Sequence, residues 1–168
     1  MVEKKQIVFD LMLKYTGPLS VEGFYEEVEK WMKERNLTKD LKRKSEEVTS
    51  KGKKIEWVID AWREATHDYI QVVRLRALLN DVKEVNVKRK GKSIKINEAD
   101  VLITIDGFQK SHLAYRWTQK PLYTFFRTLY DKYIWMIAEK HEGPVMEDCY
   151  DLHKRLKAFF ELSKMKVA

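Results

Sequence analysis

Ile7, Val8, Leu11, Met12 and Tyr15 recur at three- and four-residue intervals. That spacing is one face of a helix and predicts a helix over 4–16. Gly17-Pro18 is expected to end it, because proline cannot continue a helix and the residue before it avoids the helical region. Ser20 then stands as the N-cap of a second helix running to Asn36. Its apolar stripe is Val21, Phe24, Tyr25, Val28, Trp31 and Met32, with Glu26, Glu27, Lys30 and Lys33 on the opposite side.

After Lys39 the period shortens to two. Ile55, Trp57, Ile59 and Ala61 alternate with Glu56, Val58, Asp60 and Trp62, and Tyr69, Val73, Leu75, Ala77 and Leu79 alternate with Ile70, Val72, Arg74, Arg76 and Leu78. Strands are predicted near 41–50, 54–64, 68–79 and 99–107, the last carrying Val101, Ile103 and Ile105 and closed by Asp106-Gly107. Between the third and fourth lies a short hairpin arm: Val85 and Val87, then Lys88-Arg89-Lys90-Gly91-Lys92, then Ile94 and Ile96. Helical spacing returns after Pro121, which suits a first helical position. Leu122, Phe125, Phe126, Leu129, Tyr130, Tyr133, Ile134 and Ile137 form a wide stripe over 121–140, Gly143-Pro144 is expected to break it, and Val145, Cys149, Leu152, Leu156, Phe159 and Phe160 mark a last helix over 145–163, whose stripe can extend to Met165.

The fold expected from this order is α+β. It has two N-terminal helices, an antiparallel β-meander of about four strands with a small basic hairpin arm, and two C-terminal amphipathic helices. A single domain would span 1–168, with a helical lead over 1–38, the sheet over 39–108 and the C-terminal helices over 119–165.

Composition narrows the class. The 168 residues are 44% hydrophobic and 35% charged, enough for a core and too ordered a mixture for a disordered tail. No run of 18 apolar residues suggests a bilayer span, and the first residues lack the pattern of a signal peptide. One cysteine, Cys149, rules out an internal disulfide framework. The expectation is a cytoplasmic protein.

The net charge of +7 is concentrated. Residues 39–54 carry seven bases against three acids, net +4, and residues 83–95 carry six bases against one acid, net +5. In an antiparallel meander, the turn between strands one and two and the connection between strands three and four lie at the same end. Lys51, Lys53, Lys54, Lys88, Arg89, Lys90, Lys92 and Lys95 should therefore form one basic surface. Lysines and arginines replace the counterions condensed on a phosphate backbone. No helix carries the side chains of a major-groove reader, while loop-borne charge suits recognition of shape. The function expected is a non-enzymatic binding module for structured RNA or a ribonucleoprotein surface such as the ribosome. Self-association through the aromatic C-terminal helices is expected as well, as a homo-oligomer. A basic amphipathic last helix could also meet an anionic membrane, but packing on its own core is the preferred reading.

Other constellations carry less. Lysine-rich turns also keep sheet edges soluble. Trp62, Arg74 and Arg76 share a face, with Tyr69 opposite; stacking on a base competes with a tryptophan half-covered by a helix, and Tyr115-Arg116-Trp117 reads the same way. Gly91-Lys92-Ser93 resembles the end of a phosphate loop, but Asn86 stands where the motif needs glycine. His67, His112, His141 and His153 are too scattered for a zinc site, and no cofactor or metal is expected. Cys149 falls on an apolar stripe and reads as packing. The alternative function is a helix-grip-like protein whose sheet curls around the C-terminal helix and holds a hydrophobic or lipid-like ligand, with Trp57, Tyr69, Phe125, Phe126 and Tyr130 as candidate lining. An enzyme built around His67 or His112 is a third option.

Overall fold

A computed structural model describes residues 3–111 and 123–167. The elements are β1 (Glu3–Leu19), α1 (Val21–Glu34), β2 (Thr38–Thr49), β3 (Gly52–Thr66), β4 (Tyr69–Arg89), β5 (Lys92–Ser111) and α2 (Tyr123–Val167). The five strands form one antiparallel sheet in the order β1-β5-β4-β3-β2. Strands β2 to β5 are a meander, and β1 joins the far side of β5. Both helices pack on one face of the sheet.

This overturns the expected count of two helices at each end. The first predicted helix is strand β1. Its register slips twice, between Gln6 and Val8 and between Val8 and Leu11, and Asp10 adopts a positive φ of 41°. A bulge inserts an extra residue and resets the alternation. The inward positions therefore run Val8, Leu11, Leu13, Tyr15, and a three-residue step followed by twos imitates a helical stripe. Met12, assigned to that stripe, is instead exposed. Buried Asp106 holds the bulge: its carboxylate accepts hydrogen bonds from Asp10 N–H (2.9 Å), Gln6 Nε2 (3.3 Å) and Arg76 (2.6 Å). Strand β1 also runs through Gly17-Pro18, which an edge strand tolerates because its outer N–H has no ladder partner to lose.

The C-terminal correction is similar. One 45-residue helix passes through Gly143-Pro144 where two were expected. An internal proline removes one hydrogen bond and crowds one carbonyl, a local defect that flanking turns absorb when the helix is held by packing. The expected first helical residue, Pro121, lies outside the described residues, as does Leu122. The predicted arm is not a separate hairpin either. Strands β4 and β5 stay paired from Tyr69 and Ser111 to Arg89 and Lys92, broken only by a bulge between Asn80 and Lys83 where Asp81 has φ 54°. Nor does Asp106-Gly107 end a strand, since β5 continues to Ser111.

Helix α1 follows its prediction. Ser20 Oγ accepts from Gly23 N–H at 3.0 Å, and Phe24, Val28, Trp31 and Met32 are buried. It ends in a left-handed Asn36 (φ 55°) with Leu37 N–H returning to Met32 O at 2.8 Å, a Schellman closure. On α2, Val145, Cys149, Leu152, Leu156 and Phe160 form the buried stripe. They meet Ile59, Leu75, Ala77, Leu79, Val101, Ile103 and Ile105, the inward residues of three adjacent strands. Tyr15 and Phe160 stack at 4.6 Å between ring centroids, and Phe24 meets Trp57 edge-on at 5.8 Å.

Helix α2 comes close against the sheet backbone at Gly107. A Cβ there would stand 2.8 Å from Val145 Cγ1 and 2.9 Å from Cys149 Sγ. Gly107→Ala is therefore expected to destabilise the protein by about 1–3 kcal/mol. Adding Val145→Ala should return part of that loss, since it clears the nearest clash. Denaturant unfolding of the two variants measures both effects.

Candidate nucleic-acid interface

The β2–β3 turn and the β4–β5 turn emerge at the same end of the sheet, as antiparallel order requires. They are not level. Lys53 pairs with Val82, and Gly52 lies so close to the β4 bulge that a Cβ would be 3.0 Å from Asp81 C and Val82 O. From Val82 the β4–β5 ribbon continues alone to Arg89, about 20–25 Å at strand rise. Lys90 (φ 50°) and Gly91 (φ 78°) close it in a two-residue turn with both residues at positive φ, the turn whose twist matches a hairpin. The basic residues thus line one pole, as a low shelf and a projecting finger.

Their partners differ. Lys53 Nζ pairs with Glu46 Oε2 at 2.6 Å, and that hydrogen bond holds the Glu46 carboxyl below its ordinary range. Lys95 has Glu84 at 3.9 Å, with both side chains largely exposed. Arg89 donates to the backbone carbonyl of Lys166, near the C-terminal end of α2, where a cation meets the negative end of the helix dipole. Among the described residues, Lys51, Lys54, Lys88, Lys90 and Lys92 make no ion pair. Lys164 and Lys166 bring the end of α2 to the same pole.

The arginines that share a face with Trp62 are committed elsewhere. Arg74 makes two hydrogen bonds to buried Asp60 (2.7 and 2.9 Å), and Arg76 bridges Asp106 and Asp10. They brace the outer face of the sheet. Tyr115-Arg116-Trp117 and His112 lie outside the described residues. His153 Nε2 lies 3.1 Å from the Met12 carbonyl oxygen, on the free edge of β1. No cluster of histidine, cysteine and carboxylate that could hold a metal occurs among the described residues. Among them, too, no helix is long and apolar enough to cross a membrane.

The inner face holds a feature that periodicity did not suggest. At the end opposite the basic pole, Lys5, Gln109, Gln71 and Arg63 stand in register on β1, β5, β4 and β3, a polar row across the sheet. Arg63 donates to Gln71 Oε1 at 2.8 Å, to Arg35 O at 3.1 Å and to Asp148 Oδ2 at 2.7 Å. Lys5 pairs with Glu142 at 2.5 Å. Burial pushes the Asp148 carboxyl upward although Arg63 and Arg35 stand beside it. Gln109 is 4% exposed, and its Oε1 has no hydrogen-bond partner among the described residues. The signal in the sequence was the pair Gln71 and Gln109, each at an inward parity in its strand.

Of the residues proposed to line a ligand cavity, Trp57 is packed among rings, with Tyr25 at 4.6 Å and Phe24 at 5.8 Å. Tyr69 is buried at the polar end and Phe126 is exposed. The side chains of Phe125 and Tyr130 lie outside the described ones. No protein-family model, no curated protein and no solved structure matches the chain.

Cys149 faces Gly107 inside the core, and burial pushes its thiol up to about 12. A thiolate-requiring reagent should leave the native protein unlabelled at neutral to mildly alkaline pH. The same reagent should titrate one thiol per chain in denaturant.

Proposed function

We propose that this chain is a non-enzymatic module that binds the phosphate backbone of structured RNA, free or on a ribonucleoprotein surface such as the ribosome, through its basic pole. The observation that carries the reading is that two lysine-rich turns from distant parts of the sequence share one end of the sheet, and five of their lysines make no ion pair among the described residues. Unpaired lysines are free to replace condensed counterions, whereas Lys53, held by Glu46, contributes less. Self-association through α2 belongs to the same proposal. It is supported by Met146 and Tyr150 one turn apart, and by Leu162 and Met165, all exposed on that helix.

The test is affinity for a structured RNA across a salt series. Replacing Lys51, Lys54, Lys88, Lys90 and Lys92 together by glutamine should weaken binding and lower the slope of log K against log salt by about 4. Lys53→Gln alone should change it little. An unchanged slope in the five-fold variant overturns the proposal.

A second reading rests on the polar row. A sheet that holds α2 along one face is the arrangement of a helix-grip protein, and an unpartnered, buried Gln109 Oε1 beneath that helix would accept a hydrogen bond from the headgroup of an apolar ligand. Long-chain alcohols, which carry one donor and a tail, should then raise the melting temperature, and Gln109→Leu should abolish the rise. A melting temperature indifferent to such alcohols removes this reading.

A further inference from the structure

The finger has two unlike faces. Cross-strand pairs place Val85 beside Ile96, Val87 beside Ile94 and Arg89 beside Lys92 on one face. The other face carries Glu84, Asn86, Lys88, Ser93, Lys95 and Asn97. The first face is the less exposed: Val85, Val87 and Ile96 are half-buried, and its Arg89 is tied to the carbonyl of Lys166 at the end of α2. On the second face Asn86, Lys88, Ser93 and Lys95 are exposed. The ribbon therefore offers a partner one exposed face that combines two ammonium groups with an amide and a hydroxyl. Glu84 contributes one acid there, and its contact with Lys95 is long and solvent-screened.

We propose that this face is a docking surface for the minor groove of double-helical RNA, with Lys88 and Lys95 on phosphates and Asn86 and Ser93 on ribose 2′-hydroxyls. The inference rests on the reading of the basic pole as an RNA surface and adds the form of the RNA and the element that meets it. Groove shape selects the partner. The minor groove of B-form DNA, about 6 Å wide, is too narrow for a two-stranded ribbon. The major groove of A-form RNA is deep and closed to side chains. The B-form major groove admits a ribbon, but at a depth of about 8.5 Å it would engulf both faces, including the one whose Arg89 is tied to the Lys166 carbonyl. The A-form minor groove is wide and shallow and displays 2′-hydroxyls, so it meets a single polar face without demanding the other. Lysines supply position there, and the amide and hydroxyl supply the distinction between ribose and deoxyribose.

The experiment compares binding of the full chain, at one salt concentration, to an RNA duplex, to a DNA duplex of the same sequence, to single-stranded RNA and to the RNA duplex with 2′-O-methyl groups. The RNA duplex should bind best. Asn86→Ala with Ser93→Ala should lower its affinity about tenfold without altering the salt slope, because the phosphate contacts remain. The methylated duplex should bind the unmodified protein as weakly. Circular dichroism checks the fold of the double variant, whose changes lie at exposed positions. Equal affinity for all four nucleic acids, or indifference to both the double substitution and methylation, overturns the inference while leaving the basic-pole reading standing. Tighter binding to the DNA duplex overturns it in favour of a B-form major groove. Absence of binding to every RNA removes both readings.

Discussion

Everything on the inner face depends on how closely α2 approaches the sheet, and that distance is set by a residue without a side chain. Gly107 lets Val145 and Cys149 sit against the backbone of β5. The rest of the helical stripe, Leu152, Leu156 and Phe160, then joins the same core as Ile103, Ile105 and Leu75, with Phe160 stacked on Tyr15. Since interiors pack like molecular crystals, one methyl at that point is felt along the whole helix. The same contact line fixes where α2 ends, and so brings Lys166 within reach of Arg89 on the finger. Core geometry and the arrangement of the basic pole are thus linked through one helix.

Charge is used in two ways in this molecule. On the outer face and within the polar row, nearly every guanidinium is matched to a carboxylate, with Arg74 on Asp60, Arg76 on Asp106 and Arg63 on Asp148. These pairs are partly or wholly removed from water, and their value lies in avoiding the penalty of a lone buried charge. At the pole the pattern reverses. Lysines crowd the turns, where water solvates them and carboxylates are few. The contrast between saturated arginines and unsaturated lysines separates structural charge from the charge available to a partner.

Much of this was readable in the residues. Helix α1, the alternation in β3 and β4, the buried stripe Val145 to Phe160 and the shared end of the two turns all follow from periodicity and from the rule that meander turns alternate ends. What misled was local in each case. A bulge stabilised by Asp106, a hundred positions away in the chain, gave β1 the spacing of a helix. Gly143-Pro144 carries the strongest local stop signal, yet the helix passes through it, with Val145, Cys149, Leu152, Leu156 and Phe160 beyond it held in the core. The polar row was hidden because Lys5, Gln71, Gln109 and Arg63 form one row only through the register of four strands, and only Arg63 and Gln71, eight positions apart across one hairpin, are also near each other in sequence. The unequal reach of the shelf and the finger was hidden for the same reason: it depends on where β3 stops along β4.

The placement of β1 bears on how the chain is made. Its hydrogen-bonding partner is β5, so Glu3 faces Ser111 and Leu19 faces Asn97. On a ribosome the first strand emerges long before the strand it needs, and waits with its apolar side chains and one edge uncovered while β2 to β5 assemble as local hairpins. Loop closure over such a separation is slow, and sheets dominated by distant pairings fold correspondingly late. Strand β1 is thus synthesised before its partner and is among the last to find its place, a period in which Phe9, Met12 and the Ile7-Val8 pair are open to any other chain nearby.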